Sequence, residues 1–220
     1  MFHTFFNAEN PIFRFTSRVL DILVLSTMWV VCSLPVVTIG PASAALYYSC
    51  AKCLRYKEPH PYGSFWSSFR QNLMPGAIAT AGFLLPALAL AAVYAFLESM
   101  MIPDVFRVMY LVLMLVPMAV ITLAFPLLSR FSYTAGALLS NSVRLTLAHL
   151  PRLLAAAVVN TACIVIVIKG WYYNLVLLVP ALDALVLSYL LEPVFRKYTP
   201  GAASAGEEED DPEAKPWYLR

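Results

Sequence analysis

The chain has 220 residues, 60% of them hydrophobic and 13% charged, with a mean hydropathy of +0.72. Soluble domains are about 45–50% apolar and about 25% charged, so a water-soluble fold of this size has too little interior for so much apolar surface. The net charge of +2 divides into a basic body, residues 1–198 with 13 bases and 7 acids, and an acidic tail, residues 199–220 with 2 bases and 6 acids; no basic stretch interleaved with aromatics points to DNA or RNA.

The expected solvent is therefore the lipid bilayer, and the expected fold class is an all-α, polytopic transmembrane bundle. Residues 1–18 form a polar-aromatic lead carrying Arg14 and Arg18. Val19 to Leu34 is apolar except for Asp21 and small hydroxyls. Comparable segments recur along the chain, which favours a first span over a signal peptide. Pro35 interrupts the helix because it lacks an N–H and clashes with the preceding turn. Val36 to Cys50 is apolar again, with Gly40-Pro41 inside it. Residues 19–51 are thus one long kinked helix, two short spans, or a re-entrant hairpin.

Four further segments follow: Leu73 to Leu97, Val108 to Leu128, Leu153 to Ile168 and Leu175 to Leu191. Each roughly meets the ~17–25 residues a crossing needs. Their internal prolines (Pro75, Pro86, Pro117, Pro126 and Pro180) are tolerated in a membrane, where neighbours satisfy the freed carbonyls. The sum is about five to six hydrophobic segments.

Loop charge orients them. If residues 19–51 cross out and back, pieces 1–18, 52–72, 129–152 and 192–220 share one side. Only Arg107 and Lys169 then lie opposite. Bases collect on the cytosolic side, so both termini are expected there.

Two cytosolic stretches, residues 62–72 and 134–149, have amphipathic patterns and are expected to be interfacial elbow helices. In the first, Phe65, Trp66 and Phe69 share a face, with Arg70 and Asn72 turned away. An elbow anchors the next helix, or it docks a cytosolic partner through Trp66, Phe69, Arg70 and Asn72. Both elbows run into a proline and a long apolar helix, which suggests a weak parallel duplication. The tail from Thr199 lacks the apolar residues to bury a core and is expected to be disordered. The domain division is thus a membrane body, 1–198, and a solvated tail, 199–220.

Chemistry-bearing residues are sparse. Cys50 and Cys53 make one Cys-x-x-Cys with no second pair or nearby histidines, and His3, His60 and His149 match no zinc spacing. No phosphate loop or nucleophile motif occurs, so neither cofactor nor enzymatic activity is expected. Asp183 stands out within the last segment. A carboxylate there is costly, so it should face the bundle interior with a partner, and Asn160 on the preceding segment is the candidate. The pair reads as a structural clamp or as an ion or proton site.

The stretch Leu34-Pro35-Val36-Val37-Thr38-Ile39-Gly40-Pro41-Ala42, running on to Ala45-Leu46-Tyr47, resembles the signature of the YesL-like family. These are bacterial integral membrane proteins carrying a domain of unknown function. Phe69-Arg70-Gln71-Asn72 echoes a second family element. The resemblance implies a bacterial plasma-membrane protein often encoded beside carbohydrate-uptake genes, and supplies no catalytic residues. Read physically, Pro35, Thr38, Gly40 and Pro41 form a helix break, packed by small residues or contacting a solute.

Three function classes remain open. The first is a non-enzymatic accessory or regulatory component of carbohydrate uptake, with ABC-type sugar permease subunits or a sensor kinase as partner. The second is a small autonomous transporter or channel that uses Asp183, with a homo-oligomer as one arrangement. The third is a membrane enzyme or assembly factor.

Overall fold

The computed structural model describes residues 11–55, 59–100, 103–131, 133–169 and 177–198; the acidic tail lies outside them. Every described element is helical: α1 (Pro11–Cys32), a 3-10 turn (Val36–Thr38), α2 (Ile39–Ser49) continuing into a π-helical turn (Cys50–Arg55), α3 (Pro61–Ser99), α4 (Asp104–Arg130), α5 (Ala135–Ala148), α6 (Leu150–Lys169) and α7 (Val179–Arg196). Among the described residues there is no strand.

Residues 19–51 break into two helices at Pro35. Thr38 sits in the break, and its Oγ1 lies 2.6 Å from the Cys32 carbonyl and 2.7 Å from that of Pro35. The Cys32 carbonyl is one that the end of α1 leaves without an intrahelical partner, and the Pro35 carbonyl also accepts the Thr38 N–H at 2.9 Å.

Among the described residues three helices are long and apolar enough to cross a membrane: α3, α4, and α6 from Leu150 to Val167. That is fewer than the five to six segments expected. The 11 residues of α2 rise only about 16 Å at 1.5 Å each, roughly half a hydrocarbon core. Within α1 lies Asp21, and within α7 lie Asp183 and Glu192. Each of these acids has a polar partner on another helix: Tyr62 for Asp21, Asn160 for Asp183 and Arg130 for Glu192.

The first elbow is also corrected. Residues 62–72 are not a separate interfacial helix but the beginning of the 39-residue α3. Phe65, Ser68, Asn72, Gly76, Ala79 and Thr80 are its buried residues, a stripe at helical spacing that runs straight through Pro75. Packing along that stripe holds elbow and span in one line. The second elbow is a separate helix, α5, divided from α6 at His149.

The stripe packs on α2. A Cβ on Gly40 would lie 2.1 Å from Thr80 Oγ1 and 2.5 Å from Phe125 Cε1; one on Gly76 would lie 2.9 Å from Pro41 Cδ. The Gly40 N–H donates to Thr80 Oγ1 at 3.1 Å, and Thr80 Oγ1 donates to the Gly76 carbonyl at 2.7 Å. Small residues let the two backbones meet, as at other membrane helix interfaces.

Helix α2 is the centre of the molecule and touches α1, α3, α4 and α7. Ala44, Tyr47 and Ala51 face a core built with α4, α5, α6 and α7. Ala45, Leu46 and Cys50 face a second core with Leu25, Phe65 and Ala181. Farther along, the second half of α3 and the first half of α4 expose large apolar side chains, among them Leu85, Phe96, Val105 and Leu113. In water such a surface would be an aggregation patch; in a bilayer it meets lipid.

Candidate functional site

The site is built around the start of α7. Pro180 can occupy only the first turn of a helix without losing a backbone bond, and α7 begins at Val179 with Pro180 in that turn. Asp183 therefore lies near the N-terminal end of α7, not in the middle of a span from Leu175 to Leu191. Its depth is set by its partner. Asn160 Nδ2 donates to Asp183 Oδ2 at 3.2 Å, and Asn160 is halfway along α6. The helix start is tied to α1 as well, where the Ala181 N–H donates to Ser26 Oγ at 3.2 Å. Hence α7 begins inside the bundle, with Asp183 just past its first turn.

Asp183 and Asn160 are in the wall of a half-open cavity of about 390 Å³ lined by α1, α2, α4, α6 and α7. Trp29, Tyr47 and Phe125 supply aromatic surface, and Met118, Ile121 and Ile164 supply aliphatic surface. Trp29 is fixed in place by its indole N–H, which donates to Ser43 Oγ at 3.1 Å. Cys163 lies one turn from Asn160 on the same face of α6, close enough for its thiol to interact with Asp183. The second carboxylate oxygen, Asp183 Oδ1, is buried without a hydrogen-bond partner of ordinary geometry. No Lys, Arg or His is among the described residues lining the cavity.

The helix-break residues divide between two roles. Ile39 and Ser43 reach the cavity, whereas Gly40 and Pro41 are buried in the α2–α3 contact. Thr38 closes the break, and Pro35 begins it.

A second polar centre escaped the sequence reading. The charge pattern places Arg130 and Glu192 at the starts of two cytosolic pieces, 129–152 and 192–220. Instead α4 carries Arg130 into the bundle, and α7 brings Glu192 to it. The ion pair measures 2.7 Å, with side chains 3% and 1% exposed. The Arg130 guanidinium also lies 5.5 Å from the Phe195 ring centre. Nearby, Arg55 donates to the Ser188 carbonyl and stacks 4.6 Å from the Tyr189 ring centre. The available signal was the lone acid Glu192 at an otherwise basic helix end, beside Arg196 and Lys197.

The elbow residues separate. Trp66 and Arg70 are exposed and in cation–π contact at 5.5 Å, and Trp66 stacks on Phe69 at 5.8 Å. Asn72 is buried, and its Nδ2 donates to the Ser68 carbonyl of its own helix at 2.9 Å. Asn72 therefore belongs to the packed stripe and not to a docking surface. Asp21, on α1, accepts a 2.7 Å bond from the Tyr62 hydroxyl at the start of α3.

Taken together, the helical character of the described residues and three helices long and apolar enough to cross a membrane point to a membrane protein. Residues 22–94, roughly a third of the chain, match the family described as a protein of unknown function, DUF624. The matched stretch contains the Leu34 to Tyr47 motif, the whole of α2, and the α2–α3 contact. No curated protein and no solved structure matches the chain.

Proposed function

We propose that this is a non-enzymatic membrane protein that binds a small molecule in the Asp183 cavity and acts as an accessory or regulatory component of solute uptake in a bacterial plasma membrane. The carrying observation is the cavity itself. Its volume falls within the ~300–1,000 Å³ typical of small-molecule sites, and its mostly apolar wall holds a few fixed polar groups. Such a wall suits a sugar poorly, because each hydroxyl would need a partner. The association with carbohydrate uptake therefore concerns the partner, an ABC-type sugar permease subunit or a sensor kinase, and rests on the family resemblance. Trp66, Phe69 and Arg70 form the docking surface in this reading. Both termini lie on the cytosolic side, with α1 and α7 completing the membrane-embedded bundle beside the three long helices.

The test is purification of the tagged protein from native membrane in mild detergent. A stoichiometric permease subunit or kinase is expected, and the triple variant Trp66→Ala, Phe69→Ala, Arg70→Ala should lose it. A homo-oligomer without a partner would overturn the accessory role. It would favour the second reading, an autonomous transporter, for which the carboxylate in the cavity wall is the supporting observation.

A further inference from the structure

We infer that the Asp183 cavity selects hydrophobic monocations: a protonated amine or quaternary ammonium carried on a compact apolar body. This rests on the reading of the cavity as a ligand site and names the class of ligand.

Charge points to it first. A buried carboxylate needs a counter-charge or a full set of hydrogen bonds. Asp183 accepts a bond from Asn160 and meets the Cys163 thiol, and Oδ1 has no hydrogen-bond partner of ordinary geometry. The cavity lining offers no basic side chain among its described residues. An ionised Asp183 finds no basic side chain in this wall, so its counter-charge would come from a bound ligand.

The wall fixes the rest of the ligand. Trp29 and Phe125 contribute aromatic side chains to the wall, and the face of such a ring attracts a cation. The aliphatic residues of α4 and α6 match an apolar body. Oδ1 lies beneath the surface of the wall, so the carboxylate acts mainly by its field, which is strong in a poorly screened interior. A quaternary ammonium, which has no N–H to donate, satisfies that arrangement as well as an amine. Anionic and polyhydroxylated solutes do not.

The experiment compares benzyltrimethylammonium with its neutral carbon isostere, neopentylbenzene, by titration calorimetry on the full-length protein in maltoside micelles. The cation is expected to bind saturably and at least ~10-fold tighter than the isostere. Asp183→Asn, which keeps the side-chain shape, should remove that preference and leave the isostere unaffected. Protection of Cys163 from an alkylating thiol reagent reports occupancy independently. Equal binding of both probes, each protecting Cys163, would overturn cation selectivity and leave the cavity as a ligand site. No saturable binding and no protection by either probe would overturn the ligand site itself. The wild-type comparison of the two probes decides the matter even if Asp183→Asn fails to fold.

Discussion

Arg130 and Glu192 form the strongest residue-level commitment in the molecule. Two ionised groups at 3% and 1% exposure are stable only together. Removing one partner strands a buried charge, whereas replacing both with apolar groups removes the desolvation cost along with the attraction. Arg130→Met alone is expected to lower stability by about 3–5 kcal/mol, and the double variant Arg130→Met, Glu192→Leu to recover most of it. Thermal unfolding of the detergent-purified proteins checks this, and additive effects would show that the residues do not act as a unit. The other polar pair was approachable from sequence. Asp183 is conspicuous because apolar residues surround it, and Asn160 is the polar residue at matching depth on the neighbouring helix. Arg130 and Glu192 were not conspicuous, because each sits at a helix end where a charge is ordinary. Only their mutual burial sets them apart.

The α2–α3 contact decides how the helices are arranged. Gly40 and Gly76 are required there by proximity: each faces backbone or ring atoms of the opposing helix at distances a methyl group cannot occupy. Gly40→Ala should cost about 1–3 kcal/mol through overpacking. Gly82→Ala is the matched control, since nothing lies within 4 Å of a Cβ there. It should be neutral or stabilising by up to about 1 kcal/mol, because alanine is the better helix former. Equal effects of the two substitutions on the unfolding midpoint would mean that the interface is looser than described. The same contact explains why the expected elbow at residues 62–72 is absent. An amphipathic pattern ahead of a proline reads as a short surface helix. That pattern says nothing of the stripe from Phe65 to Thr80, which continues on one face and draws both parts against α2. The proline rules anticipated the break at Pro35 and could equally have placed the start of α7 at Pro180.

At the scale of the whole molecule, loop charge gives the expected orientation. Arg70 on α3, Arg144 on α5 and Arg152 at the start of α6 should face the cytosol, and Asp104 and Arg107, at the start of α4, the outside. Single cysteines on a cysteine-free background test the arrangement. In intact spheroplasts Asp104→Cys should react with a membrane-impermeant maleimide, and Ser140→Cys on α5 should react only after lysis. The reverse pattern would invert the orientation, and labelling of both before lysis would contradict a bundle with these helices at opposite faces.

Composition pointed to lipid as the solvent, and continuous apolar runs long enough for a crossing helix pointed to the helical class, since a barrel strand needs only about half that length. Local chemistry settled the break at Pro35, since proline removes a hydrogen bond wherever it stands. Tertiary structure decided the rest: that α3 is one helix, that Asn72 faces inward, that α7 starts at the depth of Asn160, and that five helices line a space beside Asp183. These depend on which faces meet across long stretches of chain. Hydropathy, which treats all apolar residues alike, carries no information about that pairing; the fit of Gly40 against Thr80 and of Arg130 against Glu192 does.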